Sequence, residues 1–197
     1  MTTRIIKQLD TTFYRVNGVN HREDGPAVVN PYMEEWWING QRHREDGPAI
    51  VCSGGSVSYY VRGKLHRKDG PAIILTNGLQ EWWEDGRRHR VDGPASVFGE
   101  NQEWWVNGEL HRTDGPAIVG EPKSVWYEKG KLHRLDGPAV QYHLSDVNVW
   151  YLYEVRYDTE KEFVNAKKKF KDQIVDILYD DVKMPKDIAK HISCFVY

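Results

Sequence analysis

Glu35-Trp36-Trp37-Ile38-Asn39-Gly40-Gln41-Arg42-His43-Arg44-Glu45-Asp46-Gly47-Pro48-Ala49-Ile50-Val51 is the stretch on which the fold turns. An aromatic pair running into Asn39-Gly40 reads as strand, tight turn, strand. A type I′ turn needs positive φ at both central residues, which Gly adopts without a steric penalty and Asn adopts better than most. Asp46-Gly47-Pro48 is a second bend: Pro fixes φ and lacks a donor, so it cannot sit inside a paired strand, while Asp caps its own turn. The β-branched Ile50-Val51 then opens another strand.

The same grammar recurs. The string His-Arg-x-Asp-Gly-Pro-Ala begins at His21, His43, His66, His89, His111 and His133, at steps of 22, 23, 23, 22 and 22 residues. A fixed period in this range marks a repeat architecture. A His-Arg-Asp cluster met once suggests a site; met six times in register, it is first a building rule.

Seven positions before each histidine stands an aromatic residue: Tyr14, Trp36, Tyr59, Trp82, Trp104 and Trp126. The next column is Arg15, Trp37, Tyr60, Trp83, Trp105 and Tyr127, and a glycine always stands three before the histidine. Asn17, Asn39, Asp85 and Asn107 precede that glycine and suit a type I′ turn. Arg62 and Lys129 are poorer left-handed formers, so a different geometry is open to those two turns. Each unit reads as one β-hairpin, antiparallel to its neighbours, and the whole as a long meander. Successive strand residues face opposite ways. The first aromatic column is therefore assigned to the core, and the second is either a stripe on an open face or a second buried layer.

A seventh, degenerate copy, Trp150-Tyr151-Leu152-Tyr153-Glu154-Val155-Arg156-Tyr157, keeps the aromatic pair but has neither Asn-Gly nor Asp-Gly-Pro-Ala. Thr159 and Glu162 are spaced as a capping box. Phe163, Ala166, Phe170, Ile174, Ile177 and Leu178 then recur at helical steps, and a second short helix is expected near Pro185 with Ile188, Ala189 and Ile192. The fold expected is an all-β repeat array, an antiparallel β-hairpin meander over residues 1–157, with an α-helical cap over 158–197.

Bulk properties narrow the function. Lys and Arg number 27 against 29 Asp and Glu, a net charge of −2, which does not favour a general nucleic-acid or membrane-surface binder. Cys52 and Cys194 cannot supply a disulfide framework or a four-ligand zinc site, so a reducing compartment is expected. The N-terminal residues lack an apolar signal core and no run is long enough to span a bilayer, which points to a soluble cytoplasmic protein.

Aromatic-x-x-Asn-Gly hairpins at this period resemble MORN repeats, in a variant form. The longer unit Trp-Trp-x-Asn-Gly-x-x-His-Arg-x-Asp-Gly-Pro-Ala resembles repeat proteins of tailed phages and large DNA viruses, over roughly residues 13–157. The resemblance implies a scaffold that binds other molecules and, on the viral side, an accessory protein acting on a host in the host cytoplasm.

Equivalent residues two strands apart lie about 10 Å apart, too far for histidines to share a zinc ion, so the histidines are expected to pack beside the aromatics and bond the turns. Each unit's arginine (Arg22, Arg44, Arg67, Arg90, Arg112 or Arg134) either pairs with the Asp two residues on or lines up to meet an anion. The candidate binding residues are Trp37, Tyr60, Trp83, Trp105 and Tyr127 with Arg44, Arg67, Arg90 and Arg112, and Tyr151 continues the aromatic stripe. Lys167, Lys168, Lys169 and Lys171 read as a solvated helix face. Tyr142, His143 and Asp146 share one irregular stretch, but no phosphate loop, serine elbow or metal motif appears. The expectation is a non-enzymatic binding protein without cofactor, engaging a host protein. The alternative is sequestration of a small anionic ligand such as a nucleotide; self-association is open.

Overall fold

The computed structural model describes residues 3–180, with side chains to residue 173. The expected second helix near Pro185, and Cys194, lie outside the described residues. The architecture is an antiparallel β-hairpin meander followed by one helix, and it divides into two compact units, residues 1–111 and 112–197.

In the first unit the meander runs Thr3–Gln8, Thr11–Val16, Val28–Asn30, Met33–Glu35, Ile50–Cys52, Val57–Ser58, Ile73–Ile74, Gln80–Glu81, Ser96–Phe98 and Asn101–Glu103, each strand antiparallel to the next. In the second it runs Ile118–Val119, Lys123–Val125, Val140–Tyr142, Asn148–Leu152 and Val155–Tyr157.

One hairpin per unit proves too few, because the aromatic pair splits the chain. The Trp36 N–H donates to the Ala49 carbonyl and the Trp36 carbonyl accepts from the His43 N–H, so pairing breaks between Glu35 and Trp37. Beyond the break, Trp37–Ile38 and Gln41–Arg42 form a separate two-stranded ladder. The same ladder recurs at Tyr60–Val61 with Lys64–Leu65, Trp83–Glu84 with Arg87–Arg88, Trp105–Val106 with Glu109–Leu110, and Tyr127–Glu128 with Lys131–Leu132. Each repeat thus supplies a meander hairpin and an Asn-Gly-type hairpin.

The small hairpins are stitched to one another. Within the first unit the N–H of Gly40, Gly63, Gly86 and Gly108 donates to the carbonyl of Asn20, Arg42, Leu65 and Arg88 in the preceding hairpin. Paired edges of this kind leave few orphan backbone groups, which a stack of two-residue strands needs.

All six turns are left-handed at both central positions, Arg62-Gly63 at φ 49° and 77° and Lys129-Gly130 at 49° and 75°. The poorer formers therefore keep the common geometry. A two-residue loop between Val61 and Lys64 favours type I′ or II′, and II′ wants glycine where Arg62 stands; the Arg62 N–H also gains a bond to His43 Nδ1 that offsets a left-handed cost of about 1–2 kcal/mol. Tyr153-Glu154 repeats the turn at 47° and 73° without a glycine.

The core also differs from expectation. The first aromatic column is half-buried. Fully enclosed instead are the alanines that close each motif: Ala27, Ala49, Ala72, Ala95, Ala117 and Ala139, at 0% exposure. Their backbone joins neighbouring rungs: the Ala27 N–H donates to Glu35 and its carbonyl accepts from Tyr14, and Ala72 does the same with Glu81 and Tyr59.

The helix α1, Glu160–Asp180, closes the last hairpin of the second unit. Thr159 Oγ1 accepts from the Glu162 N–H at 3.2 Å, half of the expected capping box. Phe163 is buried and meets Tyr157 edge-on, while Phe170 leans on Tyr153. Lys168 and Lys169 are exposed as expected, but Lys167 is not a solvated lysine: its Nζ donates to the Leu135 carbonyl at 2.8 Å.

Candidate functional site

Every invariant letter of the motif has an internal task. The histidine of one repeat accepts, through Nδ1, the N–H of the first left-handed residue in the next turn: His21 from Asn39, His43 from Arg62, His66 from Asp85, His89 from Asn107 and His133 from Tyr153, at 3.0–3.2 Å. A backbone N–H can only donate, so Nδ1 serves as the acceptor in these bonds; at His66 it also lies 3.2 Å from Asp85 Oδ1.

The arginine is held in a cradle. In all six repeats its Nε donates to the motif Asp at 2.7–3.0 Å and its Nη1 to the motif Pro carbonyl at 3.3 Å. Arg22, Arg44, Arg67, Arg90 and Arg134 also lie over the first-column ring of their own repeat, 3.9–4.2 Å from its centroid. The glycine is there for the guanidinium. A Cβ at Gly47 or Gly93 would stand 3.0 Å from the Cζ of Arg44 or Arg90.

The aspartates are largely exposed, and a solvent-screened pair contributes little. Ring, glycine and proline carbonyl therefore do most to fix the arginine, and the carboxylate completes its donors. The hydrogen bond from Arg, then its charge, holds Asp24, Asp46, Asp92 and Asp114 below the usual carboxylate range. Asp69 and Asp136 are lowered first by the same hydrogen bond.

The second aromatic column carries a motif that sequence reading missed. Glu35 Oε2 accepts Trp37 Nε1–H at 2.7 Å and meets Arg42 Nε at 3.3 Å. Glu81 Oε2 accepts Trp83 Nε1–H at 2.9 Å, and its Oε1 takes a short bond from Arg88 Nη2. Glu103 accepts Trp105 Nε1–H at 2.8 Å and meets Arg88 Nη1 at 3.5 Å. Arg42 lies over Trp37 and Tyr60, and Arg88 over Trp83 and Trp105, at 5.0–5.6 Å. Glu35 and Glu81 are only 8% and 5% exposed.

Such burial of a carboxylate is tolerable because each is paired and hydrogen-bonded. The signal was present: Glu-Trp-Trp occurs at 35–37, 81–83 and 103–105, whereas Ser58, Val125 and Val149 precede the pairs whose second member is Tyr. Tyrosine has no indole N–H aimed at that spot, so no carboxylate is needed there.

Trp37, Tyr60, Trp83, Trp105, Tyr127 and Tyr151 are all half-buried, neither sealed nor free. Arg44, Arg67, Arg90 and Arg112 sit in the cradles and take no part in the Glu-Trp-Arg clusters, which use Arg42 and Arg88 instead. His143 forms a bond with Ser124 Oγ at 2.9 Å in an exposed turn. Among the described residues no group of three or more His, Cys, Asp or Glu is placed to hold a metal ion. No described helix is long and apolar enough to cross a membrane.

No protein-family model matches the chain, and no curated protein does.

In the second unit the last cradle faces the helix. His133 is buried, stacks on Tyr153 at 3.9 Å, and holds Nε2 3.5 Å from Glu128 Oε2, with no hydrogen-bond partner on that nitrogen. Burial lowers the His133 pKa, against a smaller upward pull from Glu128. Burial first, then Glu154, raises the Tyr127 phenol.

Proposed function

We propose that this chain is a non-enzymatic interaction protein that engages a partner protein through the second aromatic column of residues 1–111, with Trp37, Tyr60, Trp83 and Trp105 as contacts. One observation carries the reading: the cradle arginines and the five bonded histidines are spent on internal bonds, while a row of large amphipathic rings stays half-exposed beside fixed guanidinium groups. Tyr, Trp and Arg on a rigid support are the residues that dominate protein–protein binding energy. The resemblance to viral repeat proteins makes a host protein the partner class we propose.

Sequestration of an anion is less well supported. The cradle arginines would have to leave a ring, an aspartate and a proline carbonyl, and Arg42 and Arg88 would have to leave buried carboxylates.

Crosslinking and capture from host lysate, with the full chain and a Trp37→Ala/Tyr60→Ala variant, tests the proposal. Capture of a defined partner should fall more than tenfold while the variant's circular dichroism stays native. Undiminished capture by a folded variant overturns it. So does a rise in melting temperature with nucleotide, since a ligand at 100 times its Kd adds about 2.7 kcal/mol.

A further inference from the structure

The pairing of Trp37 with Arg42 and of Trp83 with Arg88 across their ladders recurs at Tyr151 with Arg156. In the first two cases the residue two positions before the aromatic is a glutamate whose carboxylate meets the arginine. At the third that residue is Val149. The register has been kept and the internal acid lost. Among the described residues the acidic partner of Arg156 is Asp158, at 3.1 Å, and both are largely exposed, Arg156 at 63%, so that pair holds it weakly.

Beside Arg156 lies an open groove of about 590 Å³, with walls that include Ile118, Val125, Tyr127, Leu132, Val140 and Val149. The charged residues lining it are Lys123 and Arg156, both cationic. A trough with an aliphatic side and tyrosines, whose two charged lining residues are both cations, is complementary to an apolar group joined to a carboxylate, which at Arg156 competes with the exposed Asp158.

We propose that this groove is a docking site for an apolar side chain next to a carboxylate on an extended segment of a partner protein, with Arg156 taking the carboxylate that Glu35 and Glu81 supply to Arg42 and Arg88. The proposal rests on reading the chain as an interaction protein, and it assigns a second contact surface with its own chemistry. The aliphatic lining residues take the apolar side chain, and Lys123 gives a second cation in the lining.

The test is methyl-detected NMR on the full chain with two synthetic peptides, acetyl-Glu-Leu-Phe-Glu-amide and its glutamine isostere. The glutamate peptide should shift the methyl groups of Leu132, Val125 and Val149, and should bind about fivefold tighter than the isostere, as expected for one exposed ion pair. Arg156→Gln, at an exposed position that leaves folding intact, should erase that preference. Val149→Glu should supply the missing internal acid and abolish binding of the glutamate peptide. Equal affinity for both peptides, shifts confined to other residues, no shift at millimolar peptide, or a preference that survives Arg156→Gln overturns the inference. Failure here with partner capture still lost in Trp37→Ala/Tyr60→Ala sinks this groove alone. Peptide binding here with capture undiminished in that variant sinks the aromatic-row proposal instead.

Discussion

Residues 33–105 and residues 118–157 use one repeat position in opposite ways. In the first stretch three of the four repeats place Glu35, Glu81 or Glu103 before an aromatic pair whose second member is Trp, and an arginine completes a neutralised cluster; the fourth has Ser58 before Tyr59-Tyr60 and no such acid. In the second the same position is Val125 or Val149, the aromatic is Tyr, and the surface becomes a groove whose charged lining residues are cations. The backbone does not distinguish the two, since the ladders share one register. A repeat scaffold thus fixes where side chains stand and leaves the chemistry of a row to single substitutions.

The largest effect should come from breaking the polar version. Arg88→Ala strands Glu81, which is 5% exposed, and should cost about 3–5 kcal/mol of unfolding free energy in urea. Arg156→Ala, at the matching position without an internal acid, should change stability by less than about 0.5 kcal/mol. Equal losses at the two sites would erase the distinction between the stretches.

Next in size is the indole donor. Trp83→Phe removes a hydrogen bond to a buried carboxylate and should cost about 2 kcal/mol, whereas Tyr127→Phe, with Val125 in place of the acid, should cost well under 1. Denaturant midpoints of the two variants check this, and the reverse order would contradict the role given to Glu81.

Much of this was legible in the chain. The period, the Asn-Gly turns and the helical cap follow from steric rules that act within a few residues. The pairing of each arginine with the Asp two residues on was one of two readings left open. Three things were not legible, each because it depends on contacts made elsewhere. Ala49 and its equivalents looked like the tail of a motif, and only the closed rungs show them as the enclosed core. Gly47 and its equivalents read as bend residues, although their lack of a Cβ serves the guanidinium lying across them. Arg42 and Arg88 fall outside the aligned string, so Glu-Trp-Trp passed as strand sequence without its cation.

The smallest effect is set by pH and separates the units again. His133 has a lowered pKa through burial, so the native state prefers it neutral. Its contribution is complete above its ordinary pKa, near 6.5, and is lost as pH falls toward the lowered value, where the unfolded chain binds the proton more readily. Urea titration between pH 7 and 5 should show a decline that His133→Gln flattens. The motif aspartates act later: their support is present above the usual carboxylate range and is lost as pH falls through their lowered values. A decline unchanged by His133→Gln would assign the neutral-pH leg to another group.

The central claim is that the repeated arginines are parts of the fold rather than a ladder waiting for a ligand. Arginine Nε–H exchange, followed by ¹⁵N NMR on the full chain at neutral pH, tests it most directly. Six Nε–H signals, from Arg22, Arg44, Arg67, Arg90, Arg112 and Arg134, should be sharp and exchange slowly because each is bonded to its aspartate. If those six exchange as fast as the exposed Arg4 and Arg87, the cradle does not exist in solution and the account built on it fails.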